Sequence, residues 1–175
     1  MIEGTLVNLR PQEVSDAEWN ARWWASEDCK WFMGRRYDSS LVAAIEETRE
    51  AAVPAAGSRD LWMAIETKDG VHIGNCGLFH VEAENRSAEL GIGIGESAYR
   101  SRGYGTDAVR AIVRFAFDEM NLNRVQLHTY AFNERAKKAY EKAGFVEEGR
   151  GRQARYARGV YHDVVTMGVL RGELR

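Results

Sequence analysis

Only two cysteines, Cys29 and Cys76, and two prolines, Pro11 and Pro54, occur in 175 residues. Two thiols make no disulfide framework, and neither belongs to a C-x-x-C pair, so neither a stapled secreted scaffold nor a thioredoxin-like motif is present. The four histidines, His72, His80, His128 and His162, lack ligand-like spacing, which points to a metal-free protein. No apolar run approaches the ~20 residues needed to span a bilayer. The start, Met1-Ile2-Glu3-Gly4, lacks the basic-then-apolar pattern of a signal peptide. A net charge of −2 suggests neither a nucleic-acid partner nor an acidic tail. These absences define the expectation of a reduced, cytoplasmic protein without membrane or nucleic-acid contacts.

What is present is a globular composition, with 45% hydrophobic and 29% charged residues. The length suits one domain, 1–175, with a sizeable core. Residues 4–9 alternate as a strand, and Asp16 to Glu27 reads as a helix with Trp19, Trp23 and Trp24 on or near one face. Ser39 or Ser40 caps a second helix to Ala52, which Pro54 and Gly57 end. Three strand patterns follow: Leu61 to Thr67, Val71 to Val81 and Ser87 to Gly95. Thr106 to Met120 is strongly amphipathic, and Val125 to Tyr130 is a strand. Asn133 caps a helix with the stripe Ala136, Ala139, Tyr140 and Ala143, closed by Gly144. A last hairpin turns near Arg158-Gly159. The order predicts a mixed α/β (α+β) fold around one sheet.

The chemistry concentrates in Glu89 to Thr106, ELGIGIGESAYRSRGYGT. Leu90, Ile92 and Ile94 share one strand face; Glu89, Gly91 and Gly93 share the other, leaving a side-chain-free trough. Strand glycines mark close approach by a ligand or by another element. Arg100-Ser101-Arg102-Gly103-Tyr104-Gly105 then runs straight into the amphipathic helix. Such a loop aims backbone N–H groups and a positive helix end one way, as a diphosphate cradle does. A solvated glycine loop is the plainer alternative. No G-x-x-x-x-G-K-[ST] string exists, which excludes a P-loop. Gly93 to Ala98 fits G-x-G-x-x-A, but the helix opens about ten residues later than a dinucleotide fold requires.

Arg100-x-x-Gly103-x-Gly105 between a strand and a helix resembles the coenzyme A motif [RQ]-x-x-G-x-[GA] of the GCN5-related N-acetyltransferases. Asn133-Glu134-Arg135-Ala136-x-x-x-Tyr140-x-x-x-Gly144-Phe145 resembles its companion. Gly159-x-Tyr161-x-Asp163 followed by Met167 is similar to the branch acting on ribosomal-protein N-termini or spermidine. The resemblance implies a single domain whose mixed, mostly antiparallel sheet is flanked by about four helices. It implies an acetyl-coenzyme A-dependent enzyme acting on a small-molecule amine or a protein N-terminus. Ile92, Gly93 and Ile94 would pair with the pantetheine arm. Arg102, Gly103, Tyr104, Gly105 and Thr106 would hold the pyrophosphate, with Arg100 adding charge. Asn133 would contact the cofactor near its pantetheine, and Tyr140 would lie near the thioester sulfur. Dimers are common in the family, so a homodimer is an expectation.

Direct acetyl transfer needs a neutral amine, a stabilised oxyanion and a proton for the thiolate. Tyr140 suits the general acid, since a phenol stays protonated at neutral pH; its alternative role is an apolar ring on the core stripe. The backbone N–H of Ile92 is the expected oxyanion donor. Glu89 is the candidate base, directly or through ordered water, or else an ordinary strand glutamate; where water is the base, Glu89 binds the acceptor's positive charge. Trp31 and Phe32, read as lying in a loop, and Tyr161 are the expected acceptor contacts; Tyr37 belongs to the same aromatic cluster. The arginines at 150, 152, 155 and 158 suit a polar strand face or an acidic partner. Two alternatives compete: a non-catalytic acyl-coenzyme A sensor, and an enzyme acetylating amino-sugar antibiotics through an acidic cleft built from Glu27, Asp28, Asp38, Glu82 and Glu84.

Overall fold

The computed structural model describes residues 1–34, 40–53 and 56–175. Tyr37, Asp38, Ser39 and Pro54 lie outside the described residues. The chain begins with β1 (Ile2–Glu3) and β2 (Val7–Pro11), where Val7 and Leu9 face the core in alternation with Asn8 and Arg10. Three helices follow: α1 (Ala17–Ala25), α2 (Glu27–Met33) and α3 (Leu41–Ala52). Then come β3 (Leu61–Thr67), β4 (His72–Glu82) and β5 (Ser87–Ile94). The second half runs α4 (Tyr104–Asp118), β6 (Arg124–Tyr130), α5 (Glu134–Ala143), β7 (Val146–Ala157) and β8 (Val160–Leu170).

One eight-stranded sheet is ordered β1-β2-β3-β4-β5-β6-β8-β7. Every neighbouring pair is antiparallel except β5 and β6. Parallel neighbours need a crossover, and α4 supplies it. Its apolar stripe, Val109, Ile112, Val113 and Ala116, is at most 1% exposed and packs with Leu9, Ile65, Ile73 and Leu78 in the core. Each such aliphatic side chain contributes about 1.5–3 kcal/mol by leaving water.

The mixed α/β reading and nearly every element match the expectation. The first helix does not. Ser26 breaks it with an extended backbone (φ −71°, ψ 141°), and its Oγ accepts the Cys29 N–H at 3.2 Å. A serine cap stabilises a new helix start more than it favours continuation. The result is five α-helices among the described residues, and Trp31 and Phe32 sit in α2 rather than in a loop.

Two polar devices place these helices. Asn75 on β4 donates to Asn20 Oδ1 on α1 at 2.6 Å, and Asn20 donates to Thr48 Oγ1 on α3 at 3.0 Å. At the N-terminus of α4, buried Asp107 accepts the N–H groups of Thr5 (3.1 Å), Leu6 (2.7 Å) and Val7 (3.1 Å). That carboxylate staples the β1–β2 turn to the first turn of α4. Asp107→Ala should therefore cost about 2–3 kcal/mol of stability, because three donors lose a charged acceptor. Urea denaturation of the variant measures this; a loss below about 0.5 kcal/mol would show that water replaces the staple.

Candidate active site

β5 and β6 pair only at Ser87–Arg124, Ala88–Val125 and Glu89–Gln126. Beyond Glu89 they diverge, because β6 continues against β8 through Tyr130. The edge of β5 from Leu90 to Ile94 therefore presents backbone groups to a wedge instead of to a strand. The wedge opens into a cleft of about 1120 Å³.

The N-terminus of α4 stands at one end of this cleft. Gly103 caps the helix in the left-handed region (φ 92°), which glycine adopts without a Cβ clash. The first intrahelical bond joins the Asp107 N–H to the Gly103 carbonyl, so the N–H groups of the turn before it point out of the helix end. Gly103, Gly105 and Thr106 line the cleft. A Cβ on Gly105 would stand 3.6 Å from Ile94 Cγ1, so the cradle is open there. The side chains of Arg102 and Tyr104 do not line it; Arg102 donates to the Ala98 carbonyl at 3.2 Å, and Tyr104 packs on Tyr99.

Arg100 lines the cleft but is engaged as a clamp. Its Nε donates to the Ile94 carbonyl (3.0 Å), Nη2 to the Gly95 carbonyl (2.9 Å) and Nη1 to Asp28 (2.7 Å). One guanidinium thus fixes the end of β5 and ties it to α2.

The glycine trough is filled by neighbouring side chains, the close approach of another element that strand glycines also allow. Gly91 seats Phe79, whose Cε1 would lie 2.8 Å from an added Cβ, and Gly93 seats Met33, with Sδ at 2.7 Å. Gly77, the partner of Gly91 across β4 and β5, seats Trp62 in the same way. Trp62 and Phe79 stack (5.4 Å, 14°) and form an aromatic floor that lines the cleft beside Glu89. Without a Cβ, a strand glycine lets a flat ring lie directly on the sheet. Neither Trp62 nor Phe79 was singled out from sequence; the signal available was the Gly77/Gly91 pair, which only strand register reveals.

Tyr140, Asn133 and Glu89 all reach the cleft, as do Ile92, Gly93 and Ile94. Asn133 caps α5 by accepting the Ala136 N–H at 3.3 Å. Tyr140 is buried, and burial pushes its phenol up to about 12. A raised folded-state value stabilises the protonated form, so its contribution is intact below the ordinary phenol range and is lost as pH rises through about 12. Between about pH 10 and 12, wild type should lose about 2–3 kcal/mol more stability than Tyr140→Phe. Urea titrations at stepped pH read this directly; parallel curves for the two proteins would refute it.

Phe32 lines the cleft; Trp31 and Tyr161 do not. Trp31 belongs to a stack with Phe132 (4.3 Å), which in turn stacks on Tyr130 (5.4 Å), while Arg158 lies over Trp31 and Arg155 over Tyr130. Arg155 also donates to the Lys30 and Trp31 carbonyls at the end of α2. These arginines pin α2 to the β7–β8 hairpin, and Arg150 pairs with Glu147 and Asp163. Three of the four arginines thus have partners within the chain. Tyr161 is 60% exposed, and its cross-strand neighbour Tyr156 takes the place at the cleft.

Of the acidic set weighed for an amino-sugar site, only Asp28 among the described residues lines the cleft. Asp28 is bound by Arg100, Glu27 by Lys30 and Arg158, and Glu82 accepts from Asn85. Glu47 and Glu50 of α3 line the cleft as well, with Glu89. Among the described residues no cluster of metal-ligating side chains occurs, and no helix is long and apolar enough to cross a membrane.

A splayed parallel strand pair opening onto a glycine-capped helix N-terminus defines a mixed α/β fold with an anion-binding helix end beside an open strand edge. A family model described as an acetyltransferase (GNAT) domain matches residues 7–146, and the chain belongs to that family. A Bacillus subtilis (strain 168) protein provisionally named ribosomal N-acetyltransferase YdaF is 35% identical over 105 residues, covering 60% of this chain and 57% of that protein. The spermidine N(1)-acetyltransferase of Vibrio cholerae is 31% identical over 101 residues, covering 58% of each. The chain therefore spans under three fifths of the length of these two curated relatives. A crystal structure of spermidine N-acetyltransferase from Vibrio cholerae, in complex with CoA and spermine, superposes with a TM-score of 0.86 at 23% identity, covering 97% of this chain and 98% of that one. At that identity the likeness is one of fold.

Proposed function

We infer that residues 1–175 act as one N-acetyltransferase domain that moves an acetyl group from acetyl-coenzyme A directly to a primary amine. The observation that carries this reading is the β5–β6 wedge leading from the α4 N-terminus to Tyr140 and Glu89 in one cleft. The residues fit the donor. The outward N–H groups from Gly103 to Thr106 suit a diphosphate, the edge of β5 from Ile92 to Ile94 suits pantetheine amides, and Asn133, just beyond β6, lines the same cleft. Bound acetyl-coenzyme A would supply an acetyl thioester, the electrophile of the reaction.

Glu89 removes the ammonium proton of the acceptor, the Ile92 N–H steadies the developing oxyanion, and Tyr140 donates to the departing thiolate and is reprotonated by the second proton of the attacking nitrogen. Burial suits Tyr140 to this task, since a phenol pushed up to about 12 keeps its proton at every working pH. The acceptor end combines the Trp62–Phe79 floor with Glu47, Glu50 and Glu89, a lining suited to a cationic amine on an extended apolar chain. Both a polyamine and a protein N-terminus meet that description, and the names of the two curated relatives support each.

Calorimetry with acetyl-coenzyme A, followed by thiol release across polyamines, N-terminal peptides, amino acids and aminoglycosides, tests the reading. Binding with release for a polyamine or peptide is expected. Binding without release from any amine would favour the sensor, and no binding would overturn the donor assignment.

A further inference from the structure

Glu89 lines the cleft, whereas His80 stands outside it on the solvent side. The His80 ring is 77% exposed, and its Nδ1 lies 3.3 Å from Glu89 Oε2. A regular strand would not bring them together, because side chains alternate and Phe79 is the residue paired with Glu89. The β4–β5 ladder breaks between Phe79 and Glu82, and His80 takes a left-handed backbone (φ 51°). That conformation is uncommon outside glycine, and histidine is among the residues that tolerate it. Bulges beside functional sites re-aim side chains, and here the bulge returns the imidazole to the outer oxygen of Glu89. The neighbouring carboxylates are otherwise engaged: Asp60 accepts the Val81 N–H, and Glu82 accepts from Asn85.

The reaction releases one proton per turnover: ammonium and thioester become amide, thiol and H⁺. Once acceptor and donor fill the cleft, the inner side of Glu89 is covered, and the proton needs an outer exit. We propose that His80 is that exit, a relay acting through Glu89. The ammonium N–H bond breaks and its proton joins a Glu89 oxygen. The Glu89 proton then passes from Oε2 to His80 Nδ1 while the Nε2 proton leaves to water, and exchange with water resets the tautomer. Histidine suits the step because one ring nitrogen can accept a proton while the other gives one up. The relay rests on Glu89 being the base.

The test is the steady-state turnover rate of thiol release at saturating substrates in dilute buffer, with the most active amine of the panel. His80→Asn keeps a residue at ease in the left-handed region but cannot relay a proton. It should slow the step about tenfold, with the rate returning on addition of imidazole as a mobile relay. Glu89→Gln should slow it further and regain nothing with imidazole. Thermal melts of both variants should match wild type, since the His80 ring is exposed. Wild-type rates for His80→Asn, or a slow rate indifferent to imidazole, would overturn the relay. A fully active Glu89→Gln would instead remove Glu89 as base, and the relay with it.

Discussion

Gly105→Glu should destroy acetyl-coenzyme A binding while leaving the protein as stable as before, or more so. The two effects have opposite signs for one physical reason. Gly105 lies in the first turn of α4, where a glycine-to-glutamate change gains about 0.5–1 kcal/mol of helix propensity. A carboxylate near a helix N-terminus adds about 0.3–1 kcal/mol through the dipole. The added Cβ meets nothing closer than Ile94 Cγ1 at 3.6 Å, so the fold accepts it. The same negative charge would face the diphosphate, and like-charge juxtaposition in an interface costs several kcal/mol, about a hundredfold or more in affinity. Calorimetry and a thermal melt of the one variant give both numbers. Unchanged affinity would mean that the N-terminus of α4 is not the diphosphate site.

Tyr140→Phe should lower the rate of acetyl transfer by about 100- to 1,000-fold while acetyl-coenzyme A affinity stays within about twofold, because only a proton donor is lost. The ring remains, and with it the packing on Phe145 at 5.9 Å. A steady-state KM rise without a fall in kcat would assign Tyr140 to binding. Unchanged turnover would leave it as a core ring.

The glycine loop at residues 103 and 105, the Asn133 cap and the Tyr140 stripe were legible because each is local: a cap, a turn or a helical period is written within a few residues. The split at Ser26 was also local, yet it was obscured by helical patterning on both sides. The wider aromatic architecture was not legible in principle. Trp62, Gly77, Phe79 and Gly91 come together only through the register of three strands. Phe132 joins Trp31 only because α2 docks on the β7–β8 hairpin.

The sequence by itself thus determined the class of fold, the glycine loop that opens α4 and the phenol on its helix, since hydrophobic period and backbone conformational preference act over short stretches. Tertiary structure alone decided which side chains line the cleft, that Arg100 is a clamp, and that a bulge brings His80 to Glu89. Those outcomes depend on strand register and helix docking, which arise from the summed burial of a whole core and leave no signature at any single position.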